Sequence, residues 1–238
     1  MYGCSFTYGV GLEDYENFSG ILSNLTERVV YNRALIGFGI QHSLYHIQYH
    51  LQDFLKNNVY NDEKIDLSYR EIEYVIYTFI EDHIHRLYKP NDFFETLLMF
   101  YIQDSKQQFR PVSDIDLWFW HSYALRNFYI LNHFDCTNEK LISAQKRNSL
   151  LLQSFLKMNF ILKQKMKDTQ FCIFVYDGDK YIKQIEQDLL NNGIKVIYLS
   201  DLSNIDFSSK EYRLENDLHP NSLAWKIIVP LLVKELNL

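Results

Sequence analysis

Near its start the chain reads Tyr2-Gly3-Cys4-Ser5-Phe6-Thr7-Tyr8-Gly9, which sets a serine between two glycines. The pattern predicts a tight turn at which a short strand passes into a helix. Such a turn exposes the Oγ of Ser5 beyond the strand, and the first turn of the helix leaves backbone N–H groups available to an anion. Small residues around a serine are equally typical of a turn with no chemical role, so this stretch needs support from elsewhere in the chain.

A carboxylate and an imidazole lie two positions apart near the other end of the chain. The stretch there reads Glu215-Asn216-Asp217-Leu218-His219-Pro220-Asn221 and precedes a predicted helix. A serine hydroxyl is a poor nucleophile unless a histidine takes its proton and a carboxylate fixes the tautomer of that histidine. Ser5, His219 and Asp217 supply these three groups and predict a catalytic triad. The alternative is that Asp217 caps a turn and that His219 is a surface histidine.

Taken together, the two ends resemble the SGNH (GDSL-like) hydrolase family. Residues 3–9, GCSFTYG, are similar to its first block, with Cys4 where the family usually has Asp, and residues 217–221, DLHPN, are similar to its last block. Residues 32–39, NRALIGFG, are similar to the second block. The resemblance implies a serine esterase with a three-layer α/β/α, flavodoxin-like fold. It also implies an oxyanion hole formed by the N–H groups of Ser5 and Gly37.

The third block departs from the family pattern. In the family it ends a strand with Gly-x-Asn-Asp, and the Asn side chain donates to the oxyanion. The corresponding stretch here is VIYTFIEDHIHR, residues 75–86, with Glu81 where the Asn would fall. An ionised carboxylate cannot donate a hydrogen bond, so the third-block site, Glu81, Asp82 and His83, leaves two readings open. Either the alignment shifts locally, or the donor comes from His83, Arg86 or a backbone N–H.

Alternating strand and helix patterns predict a parallel sheet with helices on both faces, in a single domain over residues 1–238. The predicted strands after the first are 29–32, 72–79, 171–176 and 194–199, and the predicted helices are 14–25, 40–56, 141–167, 179–190 and 222–236. Residues 89–140 are longer than an ordinary connection and rich in aromatic residues, which predicts a helical insertion. Such an insertion could form a lid, an acyl-binding wall or a homo-oligomer interface.

A further cluster, His42, His46 and His50, has the spacing of one helix face. Zinc would need another ligand that converges on this face, and the sequence identifies none. We therefore interpret the three histidines as part of a half-buried face and predict neither a metal nor another cofactor.

Composition excludes several classes of protein. A formal charge of −6, without a cluster of basic residues, argues against a nucleic-acid partner. No apolar run reaches the roughly 18–20 residues that span a bilayer. Cys4, Cys136 and Cys172 form no C-x-x-C pair, which is typical of a reducing compartment and predicts a cytoplasmic protein. Only four residues precede Ser5, fewer than the roughly five of a typical strand, so an export signal upstream of this chain stays open.

The expected activity is hydrolysis of a small acyl ester, with a small molecule or a glycan as the alcohol; a carbohydrate O-acetyl ester fits what the resemblance implies. Two alternatives stay open: an O-acyltransferase that uses the same triad, and a catalytically degenerate binding or interaction module. Cys4 is a second candidate nucleophile, one residue away from the apex of the turn.

Overall fold

A parallel sheet of three regular strands forms the centre of the protein. The computed structural model describes residues 1–60, 63–65, 72–86, 101–103, 109–111 and 144–238. The strands are β1 (Asn58–Tyr60), β2 (Glu63–Ile65), β3 (Tyr74–Phe79), β4 (Tyr101–Gln103), β5 (Phe109–Pro111), β6 (Gln170–Val175) and β7 (Lys195–Tyr198). The α-helices are α1 (Ser5–Tyr8), α2 (Phe18–Thr26), α3 (Ile40–Tyr45), α4 (Leu51–Asn57), α5 (Asp82–Arg86), α6 (Ala144–Lys165), α7 (Asp179–Ile182), α8 (Glu186–Asn191), α9 (Leu199–Leu202) and α10 (Ser222–Leu236).

The sheet has the order β3-β6-β7, with all three strands parallel. Five of the six residues of β3 and five of the six residues of β6 are buried. Burial of successive residues is expected for strands that helices cover on both faces, because alternate side chains point to opposite faces. The near-continuous apolar runs that predicted these strands therefore reflect a sheet sandwiched between two helical layers.

The start of the chain extends this sheet on the free side of β3. The Tyr2 N–H donates to the Ile76 carbonyl at 2.8 Å, and the Thr78 N–H donates to the Tyr2 carbonyl at 3.0 Å. On its other side, Met1 accepts from the Arg33 N–H at 2.8 Å. The spatial order is therefore residues 31–33, residues 1–3, β3, β6 and β7. This is the predicted flavodoxin-like order, and it places the end of the first strand where the order reverses, the usual site for ligands in open α/β sheets.

Each face of the sheet packs against its own helical layer. On one face α2 and α10 contribute a cluster in which Phe18 stacks on Trp225, with ring centroids 5.0 Å apart. On the other face the chain from α3 to α4 packs with α6 around Tyr77 and Phe155. The predicted three-layer α/β/α arrangement is confirmed.

Several element boundaries differ from the predictions for local reasons. The first long helix begins at Phe18 rather than at residue 14, because the Asn17 side chain accepts from the Gly20 N–H at 3.0 Å and caps it. The predicted helix 40–56 contains a π-helical turn, His46–His50, between α3 and α4. The predicted helix 179–190 divides into α7 and α8. The predicted bounds of the last helix are confirmed, with Asn221 as its cap.

The predicted insertion, residues 89–140, lies outside the described residues except for β4 and β5. These two short strands pair antiparallel, where the sequence predicted helix. The strands β1 and β2 form a second antiparallel pair that was not predicted. Among the described residues no helix is both long and apolar enough to cross a membrane.

Candidate active site

Ser5 is the first residue of α1, at the carboxyl end of the strand that residues 1–3 form. Cys4 precedes the helix in an extended conformation, and Gly9 ends the helix with a φ of 90°. Gly3 has a φ of 153°, and a Cβ at this position would lie 2.2 Å from the Thr7 Oγ1. A side chain at position 3 would therefore be strained, which favours glycine in this turn. Ser5 is 6% exposed at the edge of the sheet.

The structure brings Ser5, His219 and Asp217 together, although Ser5 and His219 are 214 positions apart. The Nε2 of His219 lies 2.6 Å from the Oγ of Ser5. The Nδ1 of the same imidazole is hydrogen-bonded to a carboxylate oxygen of Asp217. The imidazole is thus held between a hydroxyl and a carboxylate, the arrangement in which a histidine can take the hydroxyl proton.

Asp217 is held in its ionised form. Its carboxylate accepts from the backbone N–H of His219 at 2.9 Å as well as bonding the imidazole. These contacts lower the pKa of Asp217, with the backbone hydrogen bond as the largest cause. An ionised Asp217 requires the Nδ1 of His219 to carry the proton, which leaves the Nε2 free to accept from Ser5.

A short antiparallel turn presents Asp217 and His219. Arg213 pairs with Pro220, and the Leu214 N–H donates to the His219 carbonyl at 2.9 Å. The Phe6 ring lies against the imidazole, with centroids 5.1 Å apart. The sequence motif predicts the two polar residues but not these supports, because a single bridge between two residues leaves no periodic pattern.

The loop that contains Gly37 is tied to the helix of the serine. We call residues 35–39 the Gly37 loop. The Asn32 side chain donates to the Thr7 carbonyl at 2.8 Å and accepts from the Ala34 N–H at 3.1 Å. Gly37 itself has a φ of 77°, within a turn that the bond from the Phe38 N–H to the Leu35 carbonyl closes at 3.1 Å. Asn32 therefore links α1 to the loop for which the resemblance implied an oxyanion donor.

The Glu81 carboxylate makes contacts to the side of β6 and α7. It bonds the Lys180 Nζ at 2.7 Å and accepts from the Tyr181 hydroxyl at 3.3 Å. The backbone N–H of Glu81 donates to Asp177 at 2.5 Å. These contacts join the ends of β3 and β6. They show that Glu81 has structural partners in this region.

The next two residues of the third block have different environments. His83 is fully buried, and its Nδ1 lies 2.8 Å from the Tyr77 hydroxyl. Burial, reinforced by the Arg86 charge, keeps the pKa of His83 well below its usual value, so its ring is neutral. Asp82 pairs with Arg86, which in turn donates to the Phe38 carbonyl at 2.6 Å. Of the three candidates, Asp82 is the one joined through a partner to the Gly37 loop.

The histidines at positions 42 and 46 have different hydrogen-bond partners. The Nδ1 of His42 accepts from the Gly39 N–H at 2.9 Å at the start of α3. The Nε2 of His46 lies 2.5 Å from the Arg33 guanidinium, and His50 is exposed on the same face. In the part of the chain that the structure describes, no three His, Cys, Asp or Glu residues are grouped to hold a metal ion.

Burial of neutral histidines makes the fold sensitive to acid. Burial lowers the pKa of His42 from 6.5 to about 4, so folding favours the neutral ring. The resulting stabilisation is full above pH 6.5 and is lost as the pH falls toward 4. Between pH 7 and pH 5, His42 should lower the free energy of unfolding by about 2 kcal/mol. Urea unfolding at both pH values measures this loss. We expect His42→Gln to reduce the difference and His50→Gln to preserve it, and an unchanged difference in His42→Gln would contradict this explanation.

The fold matches those of solved esterases. One is a carbohydrate esterase whose active site is described as having divergent catalytic and non-catalytic binding functions (TM-score 0.54, 12% identity, 99% of this chain and 66% of that chain). Another is an acetyl xylan esterase from the rumen bacterium Butyrivibrio proteoclasticus (TM-score 0.57, 10% identity, 99% of this chain and 62% of that chain). A further match is a member of the lipolytic protein G-D-S-L family from Veillonella parvula DSM 2008 (TM-score 0.48, 11% identity, 98% of this chain and 94% of that chain).

The two matches with TM-scores above 0.5 confirm the predicted α/β fold. The chain spans 66% and 62% of the two esterases with the higher TM-scores. No protein-family model matches the sequence, and no curated protein matches it.

Proposed function

We propose that the protein is a serine esterase of the SGNH type, with Ser5 as nucleophile, His219 as general base and acid, and Asp217 as the residue that orients His219. The observation that carries this proposal is the 2.6 Å contact between the Ser5 Oγ and the His219 Nε2, with Asp217 on the other ring nitrogen. A surface histidine without a catalytic role would not be expected to bond a carboxylate through one ring nitrogen and a buried serine, 214 positions away, through the other.

In the first half of the reaction, the Oγ of Ser5 bonds to the carbonyl carbon of the ester while His219 takes the hydroxyl proton. The carbonyl oxygen becomes an oxyanion, which the N–H groups of Ser5 and Gly37 stabilise. The tetrahedral intermediate then breaks its bond to the alcohol oxygen, and His219 returns the proton to that oxygen. The products are the free alcohol and an acyl group on Ser5.

In the second half, a water molecule attacks the acyl carbon while His219 takes one of its protons. Collapse of this intermediate breaks the bond to the Ser5 Oγ, which recovers its proton from His219, and releases the carboxylic acid. If a sugar hydroxyl attacks in place of water, the same steps transfer the acyl group. The protein would then be an O-acyltransferase.

We propose a small acyl group carried on a carbohydrate as the substrate class. The triad lies near the surface, because the side chains of His219 and Asp217 are 22% and 40% exposed. Leu218, between them, is 75% exposed, and Leu35 and Ile36 beside Gly37 are also exposed. An open site bordered by apolar side chains suits a bulky alcohol such as a glycan. Likeness in fold to a carbohydrate esterase and an acetyl xylan esterase supports the same class.

The test is covalent labelling of the purified protein with a fluorophosphonate, followed by peptide mass spectrometry. We expect one modification, on Ser5, together with hydrolysis of p-nitrophenyl acetate and release of acetate from acetylated xylan. Acetyl transfer to an added sugar acceptor would identify a transferase. Modification of another residue, or neither labelling nor turnover, would overturn the proposal and favour a binding module.

A further inference from the structure

The Gly37 loop needs support at both of its ends if it is to present a hydrogen-bond donor in a fixed direction. At its first end Asn32 ties Ala34 to α1. At its second end the peptide that follows Phe38 is held through its N–H, that of Gly39, which donates to the His42 Nδ1 at 2.9 Å, and its carbonyl is held separately. Because Gly37 has a φ of 77°, a conformation without side-chain restraint, the direction of its N–H depends on these external contacts.

Arg86 provides the contact at the second end. One terminal nitrogen of its guanidinium, Nη1, donates to the Phe38 carbonyl at 2.6 Å. The other, Nη2, donates to the Asp82 carboxylate. The backbone carbonyl of Arg86 accepts from the Gln41 side chain at 2.5 Å, so the main chain of Arg86 is joined to α3 and its side chain to the Gly37 loop before α3.

The stem of Arg86 packs against Gly39. A Cβ at Gly39 would lie 3.1 Å from the Arg86 Cβ and 3.5 Å from its Cδ. The Arg86 side chain is only 14% exposed, although it carries a charge. A planar guanidinium with two terminal nitrogens engaged and a packed stem is held in one orientation.

The charge of Arg86 also reaches the serine turn. Cys4, adjacent to Ser5, is fully buried, and burial raises the pKa of its thiol; the Arg86 charge lowers this pKa, and the charge of its partner Asp82 raises it again. Because Asp82 offsets the charge of Arg86, the effect of Arg86 near Ser5 depends on its hydrogen bond to the Phe38 carbonyl.

We propose that Arg86, held by Asp82, takes the place of the asparagine that the third block lacks. Resting on the proposed esterase function, this assigns Arg86 as a positioning residue: it helps to fix the Gly37 N–H by holding the Phe38 carbonyl. The third-block role thus passes from a direct amide donor to an arginine five residues further along the chain.

The test compares Arg86→Met, which keeps an unbranched stem, with Arg86→Lys, which keeps the charge but not the fork. Arg28→Met is the matched control, because Arg28 forms an exposed ion pair with Glu73 at the opposite end of β3. For p-nitrophenyl acetate we expect Arg86→Met to lower kcat about 10- to 100-fold with little change in KM, since only the transition state carries the oxyanion. Arg86→Lys should recover part of this loss, and Arg28→Met should match the wild type.

The affinity for a boronic acid, which forms a tetrahedral adduct with serine, distinguishes a loss of oxyanion stabilisation from a general loss of structure. We expect Arg86→Met to weaken boronate binding by about the same factor as its loss in kcat/KM. Unchanged kcat in Arg86→Met, or a loss in kcat/KM with unchanged boronate affinity, would overturn the assignment. If Arg86→Met does not fold, Arg86→Lys carries the same comparison. Absence of fluorophosphonate labelling in the wild type would instead refute the esterase itself.

Discussion

Replacing Ser5 with alanine is expected to lower the kcat of ester hydrolysis by about 10⁴-fold or more and to abolish fluorophosphonate labelling. The reason is that no acyl enzyme can form without the Oγ, and the remaining groups can only bind and polarise the ester. The fold should tolerate the change, because alanine is smaller than serine and the Ser5 Oγ has its contact with His219 at the edge of the sheet. Steady-state kinetics and intact-protein mass spectrometry measure the two effects.

Cys4→Ala is the matched control for this experiment, and it also tests the other candidate nucleophile. Cys4 is fully buried, and burial raises the pKa of its thiol, so little thiolate is available for reaction. We expect Cys4→Ala to keep both labelling and turnover, with at most a modest loss of stability. Labelling that persists in Ser5→Ala and disappears in Cys4→Ala would assign the chemistry to the cysteine.

Replacing His219 with alanine is expected to lower kcat by about 10³- to 10⁵-fold and to slow labelling to a similar extent. Ser5 is still present in this variant, but nothing takes its proton when the Oγ attacks. Imidazole added to the assay should restore part of the activity of His219→Ala, since a small base can enter the space that the side chain leaves. The rate of turnover against imidazole concentration measures this rescue.

The control for the second experiment is His50→Gln, which changes an exposed histidine of the π-helical turn. We expect it to behave as the wild type with and without imidazole. Should His219→Ala retain a tenth or more of the wild-type activity, the contact between the Nε2 and the Ser5 Oγ would have no catalytic role. The triad would then be a structural hydrogen-bond network.

The resemblance and the strand pattern were sufficient to predict the fold and to identify the residues of the candidate triad. Parallel strands align their carboxyl ends at one edge of the sheet, so a serine after the first strand and a histidine after the last could be expected to meet there. The predicted strands 72–79 and 171–176 correspond to β3 and β6, because strands buried on both faces leave an unmistakable apolar run. The bounds of the last helix were readable because Asn221 caps it.

The contacts of the third-block side chains could not be predicted from the sequence. Glu81, Asp82 and His83 are neighbours in sequence, yet they contact Lys180, Arg86 and Tyr77 respectively. At the end of a strand, a single residue changes the direction of a side chain by a large angle, so no pattern could decide which of the three lies toward the Gly37 loop. The role of Arg86 depends on its distance to the Phe38 carbonyl, 48 positions away.

The sequence by itself determined the class of fold and the three residue types of the candidate triad, because local periodicity and short motifs depend only on neighbours along the chain. The tertiary structure decided that the imidazole lies between Ser5 and Asp217, and that Arg86, rather than Glu81, Asp82 or His83, bonds the Phe38 carbonyl of the Gly37 loop. Hydrogen bonds are short and directional, so they exist only once packing of the two helical layers has set the distances between remote segments.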